Sequence, residues 1–372
     1  MKLLCDAIAF CYGPATALKV ILETWHDYFD EIVLISTSTT EEYFSRCKIV
    51  TEMVSLDTED IEALEAFDAS RFDVYLCVCN PIGYSVLSRK IQKTVYVDFL
   101  FWMRTEGNAP EFTSAKFIAE KYPGYEDSLR LYSDQIPGLS LVAPLIKNHT
   151  PKVHYRENQI VVNLGGQRSK LTTPGVNSSY PELMIRSMQS AADMTGCDAK
   201  FVVTSDEQTS NELRESFEKV HWEFVSLEHN DFLRLLSKSN RLFTHPGLYS
   251  PFEGISHGCP TFFLPSSNYT QILQLYNFRK VNLASWSMDL VDLGLGTVPP
   301  GLKEEEGVNR VLRLVNSAKE SEETSRKIGK TFEDWLCVTE SELKAGLSKE
   351  QEVASRYLGE YESDLMKVLH SL

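Results

Sequence analysis

Short apolar segments alternate with amphipathic ones along the first part of this 372-residue chain. The segments LLCDAIAFC, EIVLIST, DVYLCVC and TVYVDFLFW have the length and the β-branched or aromatic content of buried strands. Segments with helical spacing, such as ATALKVILETWHDYF and GYSVLSRKI, lie between them. Because parallel strands are joined by crossover helices, this order predicts a parallel sheet covered by helices.

The alternation pauses between Leu139 and Glu157, where Pro144, Pro151 and several polar residues stand, and then restarts. The later segments QIVVNLGG, KFVVTS, EFVSL, RLFTHPG and PTFFLP are strand-like, and PELMIRSMQSAADMTG and HNDFLRLLSKS are helix-like. We therefore expect an α/β fold of two doubly wound, Rossmann-like domains facing across a cleft, with C-terminal helices. The expected bounds are 1–142 for a first domain, 143–157 for a linker, 158–345 for a second domain, and 346–372 for a C-terminal helix packing back on the first domain.

Composition narrows the functional class. Hydrophobic residues make up 43% of the chain, which allows packed cores, and the formal net charge is −15. A chain this acidic repels nucleic-acid backbones, so we expect no nucleic acid partner. Asp6 interrupts the first apolar run, and no run is long enough to span a bilayer, so a cytoplasmic protein is expected. The eight cysteines are scattered without metal spacing, and no metal site is predicted.

The stretch THPGLYSPFEGISHGCP, residues 244–260, can be interpreted in two ways. By local rules Ser250 is an N-cap, Pro251 the first helical residue, and Glu253 the partner that completes a capping box. A strand also leads into His245-Pro-Gly247 just before this helix. Such a turn places His245, the Gly247 amide and the helix start together, which is typical of an anion site. Both interpretations remain open at this point.

The spacing of this stretch resembles the nucleotide-sugar segment of GT-B glycosyltransferases, namely plant-type UDP-glycosyltransferases and the peptidoglycan N-acetylglucosaminyltransferase. The matching positions are Thr244, His245, Gly247, Ser250, Glu253, Gly258 and Pro260. Pro265 and Gln271 resemble the Pro and Gln that follow in the second family. Two positions depart from the pattern, since Tyr249 replaces an Asn and Thr270 replaces an Asp.

The resemblance implies that residues 1–142 bind the acceptor and that residues 158–345 bind the nucleotide-sugar. It also implies a role for each matching position. His245, with the region of Gly247 and Ser250, would hold the diphosphate and stabilise charge on the leaving UDP. Glu253 would accept hydrogen bonds from the ribose hydroxyls. Gln271 would contact the donor sugar.

Two further segments resemble parts of the same family. Gly165 and Gly166 follow a strand where these enzymes carry a Gly-rich loop facing the diphosphate, and Arg168 could pair with a phosphate. An ordinary turn is the alternative. Val225 and Leu227 lie where family members read the uracil with backbone groups, the alternative being a plain core strand.

The acceptor side has fewer signals. The loop at Gly13 follows the first strand, where many family members carry a catalytic His, but here Pro14 follows instead. Asp98, at the end of a predicted strand, is a candidate for orienting or deprotonating an acceptor, or else a structural carboxylate. Trp102 could stack on a flat acceptor or belong to the core, and Arg104 could bind an acidic group.

The segment VDFLFWM, with Tyr132 and Gln135 downstream, is also similar to bacterial cytosylglucuronate synthases of nucleoside-antibiotic biosynthesis. That resemblance implies cytosine as acceptor and UDP-glucuronate as donor. A heteroaromatic nitrogen is already nucleophilic, which would suit the missing His.

The functional hypothesis is therefore a metal-independent glycosyltransferase that moves a sugar from a UDP-sugar to a small-molecule acceptor. No cofactor is needed, because the UDP-sugar is a substrate, and an oligomer is compatible with the sequence. Two alternatives stay open: a UDP-sugar hydrolase on the same fold, and a non-catalytic partner subunit that kept the fold.

Overall fold

A computed structural model describes residues 1–45, 47–111, 115–146, 156–165 and 179–372. The described chain forms two compact units. The first holds the described residues up to Ile146 together with Tyr357–Leu372, and the second holds 156–165 and 179–356. Each unit has its own parallel sheet and its own hydrophobic core.

The first unit contains a seven-stranded sheet with all pairs parallel, in the order β3-β2-β1-β4-β5-β6-β7. The strands are β1 Lys2–Ala7, β2 Glu31–Ser36, β3 Glu52–Ser55, β4 Val74–Val78, β5 Lys93–Asp98, β6 Lys116–Glu120 and β7 Leu139–Val142. The helices are α1 Gly13–Trp25, α2 Ser38–Phe44, α3 Ile61–Ala66, α4 Pro81–Leu87 and α5 Tyr125–Tyr132. All five residues of β4 are buried, as expected for a central strand covered on both faces.

Two local expectations in this unit were wrong. The strand predicted over TVYVDFLFW ends at Asp98, because the Asp98 carboxylate accepts the Leu100 amide at 3.0 Å and the chain turns into a 3₁₀ helix at Phe101–Met103. The pause in the alternation, expected to begin at Leu139, begins after Val142 instead, because Leu139–Val142 form the edge strand β7, whose partly exposed side chains leave only a weak sequence signal.

The second unit repeats the plan with six parallel strands in the order β10-β9-β8-β11-β12-β13. The strands are β8 Gln159–Asn163, β9 Lys200–Thr204, β10 Glu223–Val225, β11 Arg241–Thr244, β12 Thr261–Phe263 and β13 Trp286–Ser287. The helices are α6 Ser179–Thr195, α7 Glu207–Ser216, α8 His229–Lys238, α9 Ser250–Ser256, α10 Tyr269–Lys280, α11 Glu304–Glu320, α12 Glu322–Leu336 and α13 Glu340–Ala354.

The C-terminal segment predicted as one amphipathic helix consists of α13 and a separate helix, α14, at Tyr361–His370. Helix α14 belongs to the first unit and packs against α1 and β7. There the indole Nε1 of Trp25 donates to the Leu365 carbonyl at 3.2 Å. Among the described helices, none is both long enough and apolar enough to cross a membrane.

In both sheets, the order in which successive strands are added reverses at one point. The chain moves outward from β1 to β3 and then returns to place β4 on the other side of β1, and β8 and β11 have the same relation. Doubly wound sheets of this order bind ligands outside the carboxyl ends of the strands at such a reversal. The carboxyl ends of β8 and β11 are therefore the expected ligand-binding position of the second unit.

Candidate functional site

Asn163 joins the carboxyl ends of three strands in the second unit. It stands in register with Thr204 at the end of β9 and with Thr244 at the end of β11. The Asn163 Nδ2 donates to Thr244 Oγ1 at 3.2 Å, and Thr204 Oγ1 donates to Asn163 Oδ1 at 3.2 Å. One amide thus fixes the positions at which the loops leave the sheet.

The same amide also holds the two segments that follow β8 and β11. Asn163 Oδ1 accepts the Gly165 amide at 3.1 Å, and Nδ2 donates to Ser250 Oγ at 3.0 Å. A Cβ on Gly165 would lie 3.1 Å from Asn163 Oδ1, so this close approach favours glycine. Sequence reasoning missed Asn163, although a polar residue that ends an apolar strand just before Gly-Gly was an available signal.

His245 follows β11 and is buried. The Gly247 amide donates to the His245 carbonyl at 2.7 Å in a tight turn, and the imidazole lies against Tyr180 with 5.1 Å between ring centroids. Burial lowers the pKa of His245 to about 3, and a backbone hydrogen bond with Gly165 opposes this only in part. The ring is therefore neutral at physiological pH and can offer a ligand a hydrogen bond but no positive charge.

The predicted capping box at the start of α9 does not form. The N-cap is Tyr249, whose carbonyl accepts the Glu253 amide at 2.9 Å, and no side chain caps this end. Ser250 is the first helical residue, and its hydroxyl bonds to Asn163 instead. The local rule fails because partners from elsewhere in the fold compete for the Ser250 and Glu253 side chains.

The Glu253 carboxylate is held by His229, the first residue of α8. The His229 Nε2 lies 2.5 Å from Glu253 Oε1, and only 3% of the Glu253 side chain is exposed. The Glu253 carboxylate therefore does not cap its own helix, and one of its oxygens is engaged by His229. His229 precedes Glu253 by 24 residues, and no local pattern in the sequence signals this pair.

Gln271 lies in the first turn of α10, after β12, and is buried. Its Oε1 accepts the Ser267 amide at 2.7 Å and the Ser267 hydroxyl at 3.0 Å. Asn268 caps the same helix by accepting the Gln271 amide at 2.9 Å. One end of the Gln271 side chain is therefore already engaged in shaping this loop.

Val225 and Leu227 lie at the end of β10 and just beyond it. The Val225 carbonyl accepts the Ser205 amide at 3.2 Å, while Leu227 is 37% exposed. Strand β10 is separated from β8 by β9 alone, so both residues stand at the same sheet edge as Asn163 but to one side of the reversal.

Gly166 and Arg168, which the sequence also singled out, lie outside the described residues. Within the described parts of the chain, no group of three or more His, Cys, Asp and Glu side chains is placed to hold a metal ion.

In the first unit, Asp98 and Arg104 bind each other. The Arg104 Nε and the guanidinium Nη2 lie 2.8 and 2.7 Å from Asp98 Oδ2, and Asp98 is fully buried. Burial lowers the pKa of Arg104, but the Asp98 carboxylate more than offsets this, and the pKa stands above its ordinary value. Arg104 also donates to Asn108 Oδ1 at 3.1 Å. The two predicted site residues are thus brought together, each as the partner of the other.

Trp102 and Gly13 occupy different surroundings. Trp102 is buried in the 3₁₀ turn after β5, and its indole Nε1 has no hydrogen-bond partner among the described residues. Gly13 begins α1, and a Cβ there would meet nothing within 4 Å, so the position faces open space.

Asp6, another residue that sequence reasoning missed, lies buried in β1 beside the sheet reversal of the first unit. Its carboxylate accepts from Tyr75 Oη at 2.8 Å and from Asn80 Nδ2 at 2.5 Å. Burial raises the pKa of Asp6 to about 6, although hydrogen bonds from Tyr75, Asn80 and Cys77 lower it in part.

Searches of protein-family profiles and of curated proteins find no match to this chain. Solved structures do match. S. aureus MnaA, solved with UDP, has a TM-score of 0.55 at 10% identity, over 98% of this chain and 94% of that one. Phytolacca americana UGT2, solved with UDP-2-fluoro-glucose and pterostilbene, has a TM-score of 0.51 at 12% identity, over 96% and 100%. These likenesses confirm the predicted fold class, two Rossmann-like domains of the GT-B type.

Proposed function

We propose that this protein is a glycosyltransferase that moves a sugar from a UDP-sugar to a small-molecule acceptor. The observation that carries the proposal is the polar cluster at the β8–β11 reversal, where Asn163 holds Gly165 and Ser250 beside His245. This is the position at which doubly wound sheets bind nucleotides. The two proteins of similar fold were both solved with a uridine diphosphate ligand.

In this proposal the diphosphate lies against Gly165, His245, Gly247 and Ser250. Because burial keeps His245 neutral, its contribution to the leaving UDP is a hydrogen bond in a water-poor site rather than an opposite charge. Gly166 and the cationic Arg168 are proposed to complete this contact.

The rest of the donor follows the same sheet edge. Glu253 is proposed to bind the ribose hydroxyls, Val225 and Leu227 the uracil, and Gln271 the sugar. The partly exposed Leu227 supports a role beside the base, and the buried, hydrogen-bonded Gln271 supports a fixed position beside the sugar.

On the acceptor side we propose a flat heteroaromatic molecule such as cytosine, with UDP-glucuronate as donor, as in nucleoside-antibiotic biosynthesis. Gly13, Trp102, Asp98 and Arg104 are the proposed contacts. Arg104 already occupies the Asp98 carboxylate with two short contacts, and this engagement favours an acceptor nitrogen that needs little deprotonation.

The same ion pair favours a second candidate, a UDP-sugar-binding protein without transferase activity, since it leaves no evident base among these residues. A UDP-sugar hydrolase is the third. Incubation with UDP-sugars separates them: complete UDP release without acceptor indicates the hydrolase, and binding without turnover indicates the non-catalytic protein.

The central test is a thermal-shift panel of nucleotide-sugars, followed by mass spectrometry of acceptor mixtures that include cytosine. The correct donor raises the apparent melting temperature because it binds only the native state. A glycosylated product supports the transferase. Absence of binding to UDP and to every UDP-sugar would contradict the proposal as a whole.

A further inference from the structure

We propose that His229 is a positioning residue that holds the Glu253 carboxylate ready for the ribose hydroxyls and so sets the preference for ribose in the nucleotide. This inference rests on the proposed function and deepens it. It assigns a role to a residue outside the matched motif, supplied by a different helix.

The pair is largely buried. About 10% of the His229 side chain and 3% of the Glu253 side chain are exposed, and Nε2 lies 2.5 Å from Oε1. A buried carboxylate is costly unless a partner compensates it, and an N–H on a charged acceptor forms one of the stronger hydrogen bonds. His229 therefore stabilises Glu253 in this position.

The geometry leaves one carboxylate oxygen for a ligand. His229 engages Oε1, and among the described residues Glu253 Oε2 makes no hydrogen bond. A carboxylate can accept several hydrogen bonds, so two neighbouring hydroxyls can share the remaining oxygen. A ribose presents two such hydroxyls.

Local sequence rules predict an alternative orientation for the Glu253 side chain. Glu253 lies three residues after Ser250, which is the spacing at which a Glu side chain turns back toward the start of its own helix in a capping box. That box is absent in the structure, where the carboxylate bonds to His229 instead. Without the imidazole, the carboxylate is free to return to the helix start, and the ribose loses its acceptor.

His229 is also the next residue in the chain after the 225–228 segment, which carries the proposed uracil contacts Val225 and Leu227. The same short segment would thus touch the base and, through Glu253, control the sugar beside it. A displacement of the segment changes both contacts together.

The test measures affinities for UDP and for 2′,3′-dideoxy-UDP by calorimetry in the full-length protein. His229→Phe and His229→Asn remove the donor at this position, and His229→Gln can restore it. We expect Phe and Asn to weaken UDP binding about tenfold or more. Binding of dideoxy-UDP should change little, because it does not use Glu253, and Gln should recover much of the preference for UDP.

Two controls accompany these variants. Exposed His221, changed to Phe, should leave both affinities unchanged. On a Glu253→Ala background, His229→Phe should cause no further loss of UDP binding. If the His229 variants keep the wild-type preference for UDP over dideoxy-UDP, this inference is wrong while the proposed function stands. If the wild-type protein does not bind UDP, both are overturned.

Discussion

Asn163 Nδ2 donates to Ser250 Oγ at 3.0 Å, which links the end of β8 to the first residue of α9. With its bonds to Thr204, Thr244 and Gly165, this side chain connects the described segments of the proposed diphosphate site. We therefore expect that a substitution at Asn163 can weaken ligand binding without lowering the stability of the protein.

Asn163→Asp tests that separation. The Ser250 and Thr244 hydroxyls can reverse and donate to a carboxylate, so the melting temperature should change little. A negative charge beside the diphosphate should weaken UDP binding about tenfold or more, whereas uridine binding should be almost unaffected. Calorimetry with both ligands measures this, and an equal loss for uridine would contradict the proposed position of the phosphates.

The buried Asp6 predicts a specific pH dependence of stability. Its pKa is about 6 in the native state against 3.8 ordinarily, so the native state binds the proton more tightly than the unfolded state does. The stability from this group is complete at low pH and is lost as pH rises from 3.8 to 6, by about 3 kcal/mol.

Asp6→Asn should remove that loss. The free energy of unfolding of the variant, minus that of wild type, should rise between pH 4 and 6 and then level off, as measured by urea denaturation. Exposed Asp134, changed to Asn, serves as the control. A difference that does not depend on pH would show that Asp6 does not titrate in this window.

His245 predicts the opposite slope. Its pKa of about 3 lies below the ordinary 6.5, so the unfolded state binds the proton more tightly. Stability should fall as pH drops from 6.5 toward 3, and His245→Gln should weaken this dependence. Denaturation curves at several pH values provide the measurement, with exposed His221→Gln as control.

The Asp98–Arg104 pair predicts a large loss on removal of one partner. Arg104→Met leaves the buried carboxylate uncompensated and should lower the free energy of unfolding by about 3 kcal/mol. Adding Asp98→Asn should recover part of the loss. Arg130→Met removes an exposed pair with Asp127 and should cost less than about 1 kcal/mol. Equal losses for Arg104 and Arg130 in urea denaturation would show that burial does not strengthen the pair.

The sequence by itself determined the two successive α/β domains, because buried parallel strands and amphipathic helices leave distinct periodic patterns. The stop of α6 is an example: the helix ends at Thr195, and Gly196 takes the left-handed conformation with φ of +64° that glycine adopts at little cost. Short strands such as β3, β7 and β13 were not predicted, since their few residues become strands only through pairing with a neighbour.

The sequence also located the proposed donor segment, yet only the tertiary structure decided what its side chains do. Ser250 and Glu253 fit a capping box by spacing, but Asn163 and His229, brought in by other strands and helices, bind them instead. Local rules count partners within one turn of a helix. A buried carboxylate or hydroxyl is positioned by whichever donor the whole fold places within 3 Å, and sequence spacing does not contain that distance.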